Sequence, residues 1–180
     1  MVLPSFAQDA PVVDFVPTTA TPVQIDSASL IAIPVLIGSQ GPQVHFVDDI
    51  VSETGVDLLG VVVAATELDD AHPGSFVEIP VSSGLTEGQS LRSILLFGVD
   101  EGSPGQLRNA AGALARRTRG HREVTVCLRA LDDDEQLRAF VEGFVLGGFT
   151  LSAREQQPSP IASKLNLVCS EQGARVRGVL

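Results

Sequence analysis

In the second half of the chain, short apolar runs alternate with segments whose apolar residues recur every three or four positions. Residues 91–99 are short, largely apolar and closed by Gly98 and Asp100, which predicts a buried strand. Ser103 stands where it can cap a following helix, and Pro104 fits that helix's first turn. Leu107, Ala110, Ala111, Leu114 and Ala115 share one helical face, and Gly120 offers a stop. Residues 123–130 read as the next strand. Asp132, Asp133, Asp134 and Glu135 then crowd the start of a second helix, where acids complement the dipole. Its apolar face is Leu137, Phe140, Val141, Phe144 and Val145. Residues 151–163, with Pro158 and Pro160, read as a polar loop, and 165–169 as a last strand. Strand, helix, strand, helix, strand predicts crossover units and a largely parallel sheet.

The first half is less regular. Pro4, Pro11, Pro17 and Pro22 mark residues 1–24 as an extended lead-in with one short strand over 12–16. Residues 30–37 are apolar throughout and stop at Gly38. Pro34 within them lacks a ladder donor, which predicts an edge position. A short strand is expected over 43–47. Residues 55–65 stay open, because Leu58, Leu59, Val61, Val62 and Val63 suit either a helix end or a buried strand. Residues 76–81 alternate apolar and polar and predict a strand. Residues 174–180 begin a further element, and a domain rarely ends mid-pattern, which leaves truncation open.

A length of 180 residues suits one domain with a sizeable core. Hydrophobic residues make up 44%, chiefly aliphatic, which suits a sheet covered by helices. The net charge of −10 argues against general nucleic-acid binding and against an anionic membrane surface. Cys127 and Cys169 lie in apolar runs and read as reduced core residues. Met1 to Ala10 lacks the basic start and long apolar run of a signal peptide, so a cytoplasmic address is expected.

Few residues carry recognisable chemistry. His45, His72 and His121 have no partner at zinc-ligand spacing. There is no nucleophile elbow and no P-loop. The pair Asp69-Asp70 reads as a solvated turn before Pro73. Lys164 is the only lysine. Gly98, Gly102 and Gly105 lie between a strand and a helix, where α/β domains cradle phosphates. Their spacing is not that of a dinucleotide fingerprint, and Asp100 and Glu101 would repel a pyrophosphate. Arg116, Arg117, Arg119, His121 and Arg122 form a basic cluster. It reads as charge favoured at a helix C-terminus or as a patch for a partner's acids.

Two stretches carry a family resemblance. Leu95-Leu96-Phe97-Gly98-Val99, an acidic glycine loop and then Leu107-Arg108-Asn109-Ala110-Ala111-Gly112-Ala113 resemble a strand ending in Gly followed by a helix opening R-x-A-a-G. Residues 140–151, Phe140-Val141-Glu142-Gly143 through Leu151, are similar to a helix of the form E-G-x-x-L-G-x-[YF]-x-[FL]. Together, over roughly residues 25–175, they resemble the N-terminal domain of the M17 leucyl aminopeptidases. Ser152-Ala153-Arg154-Glu155 departs from the basic residues usual after that helix.

The resemblance implies a macro-domain-like three-layer α/β fold, a mixed sheet with helices on both faces. It implies a lead-in over 1–24, the domain over 25–173 and a linker from 174–180 to a catalytic domain. That second domain would bind two divalent metals (zinc, manganese or magnesium) and assemble a homohexamer. Its catalytic and metal-binding motifs match no position here, so no catalytic residue and no metal ligand is assigned to this chain, and Lys164 is out of context. The isolated domain is expected to be a monomer or weak dimer. The other reading is a stand-alone macro-like module for a nucleotide such as ADP-ribose, with Gly98, Gly102 and Gly105 as its loop.

Overall fold

The computed structural model describes residues 11–17, 29–45, 47–81, 91–131, 133–149, 160 and 162–169. The strands are β1 (Val12–Pro17), β2 (Leu30–Gly38), β3 (Gly41–Gln43), β4 (Phe76–Pro80), β5 (Ser93–Gly98), β6 (Glu123–Cys127) and β7 (Lys164–Cys169). The helices are α1 (Asp48–Thr54), α2 (Leu58–Ala64), α3 (Pro104–Arg117) and α4 (Asp134–Gly148), with a short 3-10 turn at Thr66–Leu68. The strands form one sheet in the order β1-β7-β6-β2-β5-β4, with β3 hairpinned onto β2. The pairs from β1 to β5 along that order are parallel. β4 runs antiparallel to β5, and β3 to β2, so the sheet is mixed.

Helices cover both faces. On one, Leu30, Ala32, Leu95, Phe97, Val124, Val126, Leu165 and Leu167 meet α3 and α4. The Phe97 and Phe140 rings lie 6.2 Å apart, tilted by 50°. On the other, Ile31, Ile33, Val35, Ile94 and Leu96 meet Ile50, Leu58, Val62 and Leu68. Alternation along β2 and β5 divides their side chains between the two cores, and each fully buried Leu, Ile or Phe contributes about 1.5–3 kcal/mol. β2 and β5, covered on both sides, therefore read as continuous apolar runs.

Local signals set the two long helices. Ser103 and Gln106 form a reciprocal capping box, with Pro104 in the first turn of α3. The Gln136 N–H donates to the Asp133 carboxylate at 2.9 Å, capping α4. Gly55, at φ 68°, ends α1 in the left-handed conformation that glycine adopts without strain.

Several expectations need correction. β2 lies between β6 and β5, not at an edge. Val99 N donates to Val35 O and Ile37 N to Asp100 O, so odd-numbered residues of β2 face β5 and even-numbered ones face β6. The β6 ladder ends at Ala32. Pro34 therefore points its missing donor at a side where pairing has already stopped. The strand expected over 43–47 is instead β3, over Gly41–Gln43, and the next described turn of chain opens α1, which the sequence pattern did not reveal. The open segment 55–65 resolves as a helix after Asp57, whose carboxylate accepts from Gly60 N at 2.9 Å. β6 stops at Cys127 rather than near Ala130, because Leu128 to Leu131 form a turn closed by Leu131 N to Leu128 O. The strand expected over 12–16 is present as β1. Residues 174–180 and most of 1–24 lie outside the described residues.

Candidate functional site

In open α/β sheets ligands bind beyond the carboxyl ends of the strands, where successive connections leave toward opposite faces. Here the criterion holds on both sides of β2, toward β5 and toward β6, because α3 and α4 both lie on the face opposite α1 and α2; an ion pair falls at the point between β2 and β6. The chain leaving β2 passes to α1 and α2 on one face, and the chain leaving β6 passes to α4 on the other. Arg129, just past β6, and Asp49, in the first turn of α1, meet across it, Nη1 to Oδ2 at 3.0 Å. The side chains are 14% and 21% exposed, so this ion pair is largely shielded from water. Cys127 lies beneath it. Burial pushes its thiol up to about 11, which leaves it protonated and a poor nucleophile at neutral pH.

The glycine loop adjoins this point, and each glycine has a local reason to be there. Gly98 ends β5 against Ala71 and Ser75, and a Cβ would strike the Ala71 backbone. Gly102, at φ 77°, sits under Leu131, where a Cβ would come within 2.6 Å of a Leu131 methyl. Its carbonyl accepts from Gln136 Nε2 at 2.9 Å. Gly105 is exposed in the first turn of α3, with nothing within 4 Å of a Cβ. Asp100, at φ 55°, accepts from Gln106 Nε2 at 2.6 Å, and Ala71, at φ 44°, takes the Asp100 N–H on its carbonyl. The side chains at the start of α3 thus bond one another.

The basic cluster divides. Arg117 reaches Glu78 of β4 at 3.1 Å. Arg119 is half-buried and donates to the Gly148 carbonyl at the end of α4, at 3.2 Å. Arg116 and Arg122 are exposed, and the Arg122 carbonyl anchors Ser163 and Lys164. Among the described residues, no group of three or more His, Cys, Asp and Glu side chains is arranged to hold a metal ion.

The residues that carried the family resemblance meet in one place. α3 and α4 pack parallel, with Gly112 against Gly147 and Arg108 against Gly143. A Cβ on Gly143 would lie 2.7 Å from the Arg108 Cα, and one on Gly147 would strike the backbone of Gly112. Arg108 pairs with Glu142 at 2.9 Å, and Arg138 pairs with the same carboxylate at 2.9 Å. The two guanidiniums, Arg138 first, hold the Glu142 carboxyl below its usual range. In this chain the two motifs are therefore halves of one helix contact.

Sequence reasoning missed two constellations. One is the Asp49–Arg129 pair, which joins residues from opposite halves of the chain. The other lies on the sheet face away from α3 and α4. There the buried Asn166 donates to Glu123 and, at 3.3 Å, to Thr125. Lys164 lies 3.2 Å from Glu123 and 3.6 Å from Asp14, bridging β6 to β1 across β7. The polar residues at alternate positions of residues 123–125 and 164–166 were the available signal.

The fold defines the class: a three-layer α/β domain built on a mixed seven-stranded sheet. The same fold occurs within leucine aminopeptidase. The tomato enzyme superposes on 92% of this chain and 34% of its own, with a TM-score of 0.57 and 17% identity. Weaker likenesses, each with a TM-score of 0.48, are found in a bottromycin maturation enzyme, BotP, in complex with Mn and in the cytosol aminopeptidase of Coxiella burnetii. The first is 22% identical over 84% of this chain and 28% of its own, the second 19% identical over 82% and 27%. This chain thus spans about a third of the length of the solved proteins it matches. No family model and no curated protein matches the sequence.

Proposed function

We propose that this chain is the non-catalytic N-terminal domain of a leucyl aminopeptidase-like metallopeptidase. The observation that carries the reading is the asymmetry of the match: nearly all of this chain corresponds to only about a third of tomato leucine aminopeptidase. The joining of the Arg108–Gly112 and Glu142–Gly147 motifs in one helix contact supports it, because it gives the sequence resemblance a structural basis.

In this reading residues 25–173 form the macro-like domain, 1–24 lead into it, and 174–180 open a link to a catalytic domain. That second domain holds two divalent metals and releases N-terminal amino acids from peptides in a cytoplasmic homohexamer. The role of the present domain is to support the oligomer, to limit access to the active site, or to dock a partner. No helix among the described residues is long and apolar enough to cross a membrane.

The test is a comparison of two proteins. The chain alone, with manganese and leucine p-nitroanilide, is expected to show no turnover. The product of the full gene is expected to turn over the substrate and to lose that activity to a chelator. Turnover that tracks the purified chain, or a full gene product without metal-dependent peptidase activity, overturns the reading.

A further inference from the structure

β4 is an edge of the sheet, and its ladder to β5 shows which of its main-chain groups are left over. Gly98 N donates to Ser75 O and Val81 N to Arg92 O, in the antiparallel register that sets Val77 opposite Leu96 and Ile79 opposite Ile94. Odd-numbered residues of β4 therefore turn their N–H and C=O groups toward β5, and Phe76, Glu78 and Pro80 turn theirs outward. Among the described residues nothing hydrogen-bonds to those outward groups. Pro80 has no N–H to donate, and Gly74, at φ 112°, stands in the turn before the strand. The open ladder thus comes down to Phe76 and Glu78, each with one donor and one acceptor. Phe76, Val77 and Ile79 are half-buried, so the same edge leaves apolar side chains partly in water.

We propose that two copies of this chain join edge to edge through β4, antiparallel about a two-fold axis at Val77. In that register Phe76 of each copy exchanges two N–H···O=C bonds with the partner's Glu78, so every open donor of both edges is met. Val77 faces its own counterpart across the axis, where the strand is apolar. Sliding the pair by two residues would set the Glu78 carboxylates directly opposite each other and match Phe76 with Pro80, which has no donor to return. A second copy is the occupant this edge fits, because its own β4 offers the same donors and acceptors at the matching spacing. The contact is isologous and closes at a dimer. A ladder this short falls below the roughly 1,200 Å² of a stable complex, so the dimer forms only at about 0.1–1 mM. The proposal concerns the chain by itself and does not depend on the peptidase reading.

Oxidative cross-linking reads the register. The two Val77 Cα atoms, facing each other as a non-hydrogen-bonded pair, would lie about 4.5 Å apart, within the range of about 4.4–6.8 Å that a disulfide spans. The two Ile79 Cα atoms would lie about 14 Å apart. At about 0.5 mM, Val77→Cys should therefore oxidise to a covalent dimer and Ile79→Cys should not, with Cys127 and Cys169 buried in both. In sedimentation velocity the mass of the parent chain should rise with concentration toward a dimer and no further. The rise should persist in about 0.5 M salt, since main-chain bonds rather than charge hold the pair. Glu78→Pro removes an outward donor that the fold does not use and should abolish the dimer, whereas Glu78→Gln keeps that donor and should dimerise at least as well as the parent. No dimer of the parent chain at about 1 mM, cross-linking of Ile79→Cys as fast as Val77→Cys, or a folded Glu78→Pro that dimerises like the parent overturns the proposal.

Discussion

Replacing glycine by alanine at two positions of the α3–α4 pair should give opposite results. Alanine is intrinsically better than glycine in a helix by about 0.8–1 kcal/mol. At Gly105 a Cβ meets nothing within 4 Å, so Gly105→Ala should keep most of that gain, about 0.5–1 kcal/mol. At Gly143 the Cβ runs into the Arg108 carbonyl oxygen and comes within 2.7 Å of its Cα and 2.8 Å of its carbonyl carbon. Those atoms belong to a packed helix and cannot rotate aside. The helices must separate by about an ångström, and overpacking of this kind typically costs about 1–3 kcal/mol, occasionally more. Separation also loosens Leu107, Ala111, Phe140 and Phe144 beneath. Net of the propensity gain, Gly143→Ala should lose about 1–2 kcal/mol, or roughly 2–8 °C in Tm for a chain of this size. Gly112→Ala, whose Cβ would lie 3.3 Å from the Gly143 carbonyl, should fall between the two. Urea denaturation followed by circular dichroism, with parallel thermal melts, reads all three. Gly143→Ala as stable as the parent, or Gly105→Ala destabilised as far as Gly143→Ala, would refute the reasoning.

The Cys127 thiol, raised to about 11 by burial, should resist iodoacetamide at pH 8 in the native protein and react once urea unfolds it; native labelling at the rate of a free thiol contradicts the placement. Glu142, held low by Arg138 and Arg108, should titrate below the ordinary glutamate range by carboxyl NMR, and R108M/R138M should move it back up. The sign follows: a lowered carboxyl favours the fold above the ordinary carboxylate range and loses that contribution as pH falls through its native value. Breaking the shielded switch-point pair with Arg129→Met should cost about 1–3 kcal/mol in urea, and R129M/D49L should recover most of it. With the glycine loop occupied by Ala71, Ser75 and Leu131, calorimetry with ADP-ribose should give no heat at millimolar ligand; saturable heat would favour the nucleotide reading.

The sequence by itself determined what depends on neighbours along the chain. The capping box of α3, the acid-rich start of α4 and the amphipathic faces are local effects, and so is the length of the buried strands. Each was legible from Ser103, Pro104, Asp133 or the spacing of Leu107 to Ala115. Alternation of strands and helices carried the α/β class, because a parallel strand needs a crossover. What the sequence did not determine were the places where distant segments meet. Pro34 read as an edge residue because a ladder donor was missing. Only the early end of the β6 pairing made a central position tolerable. The helical state of residues 58–64 hung on the Asp57 cap and on burying Leu58 and Val62 while exposing Leu59 and Val63, a choice an all-apolar run leaves open. The glycines at 112, 143 and 147 were visible as motif letters. That they let two helices touch backbone to backbone is a fact of packing, because excluded volume between distant chain segments has no one-dimensional signature.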